Sequence, residues 1–72
     1  MRKLDLHGIK HQKASNMADT FIFQNKNNLP VEVITGNSLY VQNIINRIIK
    51  LYGLRMEPKS HVNLGPYIIR SN

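Results

Sequence analysis

The sequence predicts an α/β two-layer sandwich with element order β-α-β-α-β-β: a four-stranded mixed sheet with two helices on one face. Three observations predict it. The apolar period switches repeatedly between two and about 3.6 residues along the chain, turn-forming residues mark each switch, and two stretches with helical spacing each follow a short extended run. Right-handed crossovers then put both helices on the same side of the sheet, and the last two strands close as a hairpin. The other face is left to solvent or to a partner.

The opening segment, Leu4-Asp5-Leu6-His7-Gly8, alternates as a strand does. Side chains two apart share a face, with Cα atoms about 6.6 Å apart at about 3.3 Å rise per residue, so Asp5 and His7 are expected on one side and the leucines on the other. Gly8 allows a turn directly after the pair. A carboxylate and an imidazole that can act on one substrate make Asp5 and His7 the best candidates for chemistry. The same pattern also suits a strand end in which both residues only hydrogen-bond neighbouring loops.

Ala14, Met17, Ala18, Phe21 and Ile22 recur at helical spacing, which predicts an amphipathic helix over residues 11 to 26, stopped by Asn25, Asn27, Asn28 and Pro30. Val31 to Thr35 is β-branched and lies between Pro30 and Gly36, as expected of a central strand. Thr35-Gly36-Asn37 then forms a tight turn, with Asn37 or Ser38 as N-cap. From Ser38 to Tyr52, an apolar stripe of Val41, Ile44, Ile45, Ile48 and Tyr52 lies opposite Gln42, Asn43, Asn46, Arg47 and Lys50, and Gly53 closes this second helix. Leu54 to Glu57 reads as an exposed strand. Tyr67 to Arg70 reads as the last one, reached through a loop carrying Pro58, Asn63, Gly65 and Pro66.

Composition narrows the function. The 72 residues make one small domain spanning 1–72, with a thin core. Ten Lys and Arg against four Asp and Glu give a net charge of +6, and the pI is near 10.1. Such a chain favours polyanions, nucleic acid first among them. There is no cysteine, so disulfides, thiolate zinc sites and a cysteine nucleophile are excluded. No apolar run approaches the ~18 residues of a membrane span, and the reading is of a cytoplasmic monomer. With only Asp5, Asp19, Glu32 and Glu57 as carboxylates, a two-metal nuclease site is not expected. His7 and His11 are four apart, a spacing zinc sites use, but Gly8 intervenes and no third ligand is evident. His61 reads as a solvated loop residue within reach of phosphate.

Leu4-Asp5-Leu6-His7-Gly8, Ala14 six residues after the glycine, Val33-Ile34-Thr35-Gly36 before a helix, and Asn63-Leu64-Gly65 before the last strand together resemble the Smr (small MutS-related) domain family over nearly the whole chain. The resemblance implies a two-layer fold similar to the C-terminal domain of bacterial translation initiation factor 3. It also implies nucleic-acid binding, endonuclease activity on DNA or RNA, and ribosome-linked roles in some members. By position, Asp5 and His7 fall on the family's Asp-Leu-His catalytic motif and Thr35-Gly36 on its glycine turn. The chain departs from the family at Ser38, where the turn usually carries a second glycine, and at Lys13, where a glutamate commonly precedes the helix alanine.

The implied chemistry has His7 as general base or acid at a phosphodiester, with Asp5 orienting it or favouring its protonated form. On RNA the 2′-hydroxyl is the nucleophile. Developing charge is met by backbone N–H groups around Gly36 and by Lys10 or Lys13. Basic contacts to nucleic acid are assigned to Arg2, Lys3, Lys10 and Lys13. The turns assigned to the phosphate chain are Gly8 and Thr35-Gly36-Asn37. Tyr40 and Tyr67 are candidates to stack on bases or to pack in the core. No cofactor is required; Mg²⁺ held by Asp5 is the rival version. The alternative functions are a noncatalytic nucleic-acid module and a protein-interaction module recruited by, or recruiting, another protein or the ribosome.

Overall fold

The computed structural model describes residues 1–60 and 65–72. Its elements are β1 (Lys3–Asp5), α1 (His11–Asn25), β2 (Val31–Ile34), α2 (Leu39–Leu51), β3 (Leu54–Pro58) and β4 (Pro66–Ser71). The sheet order is β1-β2-β4-β3. β1 and β2 are parallel with Leu4 opposite Val33, β2 and β4 are antiparallel with Val31 opposite Ile69, and β3 and β4 are antiparallel with Met56 opposite Ile69. This is the expected mixed four-stranded sheet, with β2 central and β3 at an edge. His61 and the Asn63-Leu64 part of the late turn lie outside the described residues.

Alternation along the strands sorts the two faces. Leu4, Val31, Val33, Ile69, Met56 and Leu54 point to the helices, where they meet the stripes of α1 and α2 in one cluster with Leu6, Ala14, Ala18, Ile22, Val41, Ile45, Ile48 and Ile49. Ala14 and Ala18 lie one turn apart and are fully buried, so α1 can approach its neighbours closely. Ile49, which the five-residue stripe omits, is buried too, because α2 packs on α1 as well as on the sheet and so needs a wider apolar face.

The two helix entries differ in their caps. Ser38 Oγ accepts from the Val41 N–H at 3.2 Å, as an N-cap serine does. We expect Ser38→Ala to cost about 1 kcal/mol, a fall of about 4–8 °C in Tm for a domain of this size, read by thermal denaturation. An unchanged Tm would mean that this N–H is satisfied without the hydroxyl. α1 starts at Lys10, and no side chain among the described residues caps it.

The face without helices carries Lys3, Glu32, Ile68, Glu57, Arg55 and Arg70 by register. Ile68 is buried there, standing between Glu32 and Glu57. Each carboxylate has its own cation: Lys59 Nζ lies 3.0 Å from Glu32 and Arg70 Nε lies 2.6 Å from Glu57. The Arg70 bond holds the Glu57 carboxyl below its ordinary value, helped by the charges of Arg70 and Arg55 against an opposing desolvation. A depressed folded-state value means that this contribution is complete above the unfolded value and is lost as pH falls through the folded one. Arg70→Gln should therefore flatten the most acidic part of the stability–pH curve and leave its shape near neutrality unchanged, measured as Tm against pH.

Candidate active site at the carboxyl ends of the parallel strands

β1 and β2 are parallel, and each is followed by a helix that runs back across the sheet, so both helices begin at the carboxyl end of that strand pair. Neither helix has an acidic residue in its first turn. Helix N-termini carry partial positive charge and free N–H groups, and in open α/β sheets this end of the strands is where ligands collect.

β1 ends at Asp5, two residues short of what strand alternation through His7 requires. The chain turns at Leu6-His7-Gly8-Ile9: the Ile9 N–H donates to Leu6 O at 3.1 Å, and Gly8 has φ +76°. A positive angle at the third turn position is what a type II turn requires, and glycine supplies it without strain. His7 is thus a turn residue. The Asp5 carboxylate accepts from the main-chain N–H of His7 at 2.9 Å, while no hydrogen bond or ion pair among the described residues joins it to the ring. The Asp5 bond is of the kind also expected for a strand end, a local closure in which a short acidic side chain bonds two residues ahead.

The imidazole lies beside the turn that follows β2. Gly36 has φ +65°, and a Cβ built there would lie 3.3 Å from His7 Cδ2. Only glycine combines that backbone angle with that closeness. The turn itself is fixed by Thr35, which is buried. Its N–H donates to Gly65 O at 2.8 Å, and its hydroxyl lies 3.1 Å from the same oxygen and 3.0 Å from Gly36 O. Thr35 therefore serves the turn from inside. Asn37 is exposed beside it.

The basic candidates separate. Lys10 and Lys13 are exposed in the entry and first turn of α1, at the His7 end. Lys3 is exposed on the helix-free face. Arg2 belongs to the other end of the strand: its guanidinium donates to Asn25 Oδ1 at 2.9 Å, tying the start of β1 to the end of α1. Ser38 takes one N–H of the α2 entry, that of Val41, whereas the α1 entry has no side-chain cap and lies beside Lys10 and Lys13.

A contact that the sequence reading did not anticipate joins the two helix entries. His11 stacks on Tyr40 with ring centroids 3.9 Å apart and planes 13° from parallel. The signal was present: each ring lies in the first turn of its helix, three residues past Gly8 and four past Gly36, and parallel neighbouring helices bring first turns together. Tyr40 stays half exposed. Tyr67 is half-buried on the helix side of β4.

Among the described residues, no three His, Cys, Asp or Glu side chains converge as metal ligands, and no helix is long and apolar enough to cross a membrane. A surface depression of about 400 Å³ lies between β1 and α1. It is lined by Leu4, Met17 and Phe21 with Asn16, Thr20 and Gln24 and contains no charged group, so it offers a phosphate no opposite charge.

The geometry separates two roles for Asp5. Asp5→Asn keeps an oxygen for the His7 N–H and removes the charge; Asp5→Ala removes both. If the carboxylate acts by holding the turn, Asn should keep stability within about 0.5 kcal/mol of wild type while Ala loses about 1 kcal/mol, one hydrogen bond's net contribution, as read by denaturant unfolding. Equal losses would assign the effect to charge instead.

Comparison with protein-family models, with curated proteins and with solved structures gives no match.

Proposed function

We propose that this chain is a nucleic-acid-binding domain of Smr type that cleaves phosphodiester bonds, with His7 as the proton-transfer residue and Asp5 as a positioning residue. One observation carries the reading: the imidazole of the Leu-Asp-Leu-His-Gly turn lies against Gly36, at the end of the sheet where two helices with acid-free first turns begin. A phosphate at that end meets α1's uncapped N–H groups together with Lys10 and Lys13. The net charge of +6 supplies the long-range attraction.

On RNA the reaction is a transesterification. His7 takes the 2′-hydroxyl proton as the O2′–P bond forms; the P–O5′ bond breaks, and the departing 5′ oxygen takes a proton from water, to which His7 later returns its own. The products are a 2′,3′-cyclic phosphate and a 5′-hydroxyl. On DNA, which lacks that hydroxyl, a water must be activated, and Mg²⁺ on Asp5 with a substrate phosphate is the route the residues allow. The engagement of Asp5 with the main chain favours the first route. It also supports a second reading, a noncatalytic binding module in which the Asp-Leu-His turn is only structural.

The test is incubation of purified protein with labelled single-stranded RNA, supercoiled DNA and branched DNA, each with Mg²⁺ and with EDTA. Cleavage of RNA that persists in EDTA is the expected result. Substrate that is retarded on a gel but remains uncut in every lane would leave the binding module. Neither binding nor cleavage would overturn both readings and leave a protein-interaction role.

A further inference from the structure

The helix-free face carries a charge arrangement that the reading above does not use. Arg55 and Arg70 are direct register partners across the antiparallel β3–β4 pair, a placement in which like charges repel. One carboxylate serves both: Glu57 accepts from Arg70 Nε at 2.6 Å and feels the charge of Arg55 at longer range. A guanidinium has five N–H donors, so fixing Arg70 through Nε orients its remaining four. Both arginines line a cavity of about 200 Å³ whose other walls are Leu29, Pro30 and Ser71. No carboxylate lines it. Pro30 precedes β2 and Ser71 ends β4, so the cavity sits at the opposite end of β2 from Gly36, and one phosphate cannot occupy both places.

We propose that the Arg55–Arg70 cavity is a phosphate-binding site. The volume is below the ~300–1,000 Å³ of pockets that enclose whole drug-sized ligands and suits one compact anion. Two planar guanidinia offer forked N–H pairs matched to phosphate oxygens, with Glu57 steadying one of them and Leu29 and Pro30 forming an apolar wall. A bound anion also removes the repulsion that the register imposes on the two cations. The phosphate belongs either to a nucleic-acid backbone or to a small phosphate ester, and the site stands independently of the chemistry at His7.

The test is titration of the ¹⁵N-labelled full chain with inorganic phosphate, following backbone N–H and arginine Nε–H resonances, with sodium chloride at matched ionic strength as the control. Saturable shifts at Arg55, Arg70 and Ser71 that chloride does not reproduce are expected, together with about tenfold or greater weakening in Arg55→Gln, the loss of one charge-assisted contact. Arg55 is exposed and makes no hydrogen bond to Glu57, so this variant should keep its fold; Arg70→Lys, which keeps a cation for Glu57 but loses the fork, should weaken phosphate in the same direction. A short single-stranded RNA that shifts the same resonances and is displaced by phosphate identifies the backbone as the source. RNA that leaves them unmoved while phosphate shifts them identifies a small phosphate ester. Shifts equal in chloride, or undiminished in Arg55→Gln, would overturn the site.

Discussion

His7→Ala should lower phosphodiester cleavage by about 10²–10⁴-fold, the usual contribution of a positioned acid–base group, while affinity for the same nucleic acid stays within about twofold. The separation follows from where His7 is. Its side chain is exposed and rests on a glycine, so removing it opens no core cavity and should shift stability by no more than about 0.5 kcal/mol. Its main-chain N–H, the group that Asp5 holds, survives the substitution. Lys10, Lys13 and the α1 entry, to which the proposed function assigns the attraction for phosphate, are also untouched. Parallel gel-shift and cleavage assays measure the two quantities separately. Cleavage at the wild-type rate in the variant would remove His7 from the chemistry, whatever the substrate.

Gly36→Ala should damage activity out of proportion to stability, and Gly8→Ala provides the control. Both glycines have positive φ, +65° and +76°, so either alanine costs about 1–2 kcal/mol of backbone strain. They differ in surroundings. A Cβ at Gly8 meets nothing within 4 Å, whereas one at Gly36 meets His7 Cδ2 at 3.3 Å and His7 Cα at 3.9 Å. The ring must yield by a few tenths of an ångström. Misplacement of a reacting group by about 1 Å costs about a hundredfold, so about a tenfold loss of cleavage is expected from Gly36→Ala beyond the loss in Gly8→Ala. Denaturant melts and turnover on one substrate, measured for both variants, give the comparison. Equal turnover in the two would mean that the His7–Gly36 contact has no catalytic consequence.

The architecture was legible because each element carries its own period and its own stops. Pro30 and Gly36 frame β2, Ser38 announces α2, and the helical repeat from Ala14 to Ile22 is what α1 buries. The site was only partly legible. Alternation along Leu4 to His7 puts Asp5 and His7 on one side only if the strand continues, and a strand cannot be seen to stop two residues early when Gly8 permits several turns. Arg2 and Thr35 show the same limit. Their chemistry suits phosphate, but an acceptor at Asn25 and a carbonyl at Gly65 lie far along the chain and claim them. The Arg55–Arg70 opposition depends on the β3–β4 register, which the intervening loop leaves undetermined until the strands pair.

That α1 and α2 start at the same end of the sheet also gives the molecule a polarity. Two helices laid side by side in the same sense add their peptide dipoles, where an up-and-down pair would cancel them. Lys10 and Lys13 lie at that leading pole. The effect is local, since a helix's end charge fades within its first turn, and full cations also stand at the far end, at Arg2, Arg55 and Arg70. An anion seated at the Gly36 end would therefore meet two summed poles only at close range, and added salt should weaken that attraction over a Debye length of about 10 Å at 0.1 M.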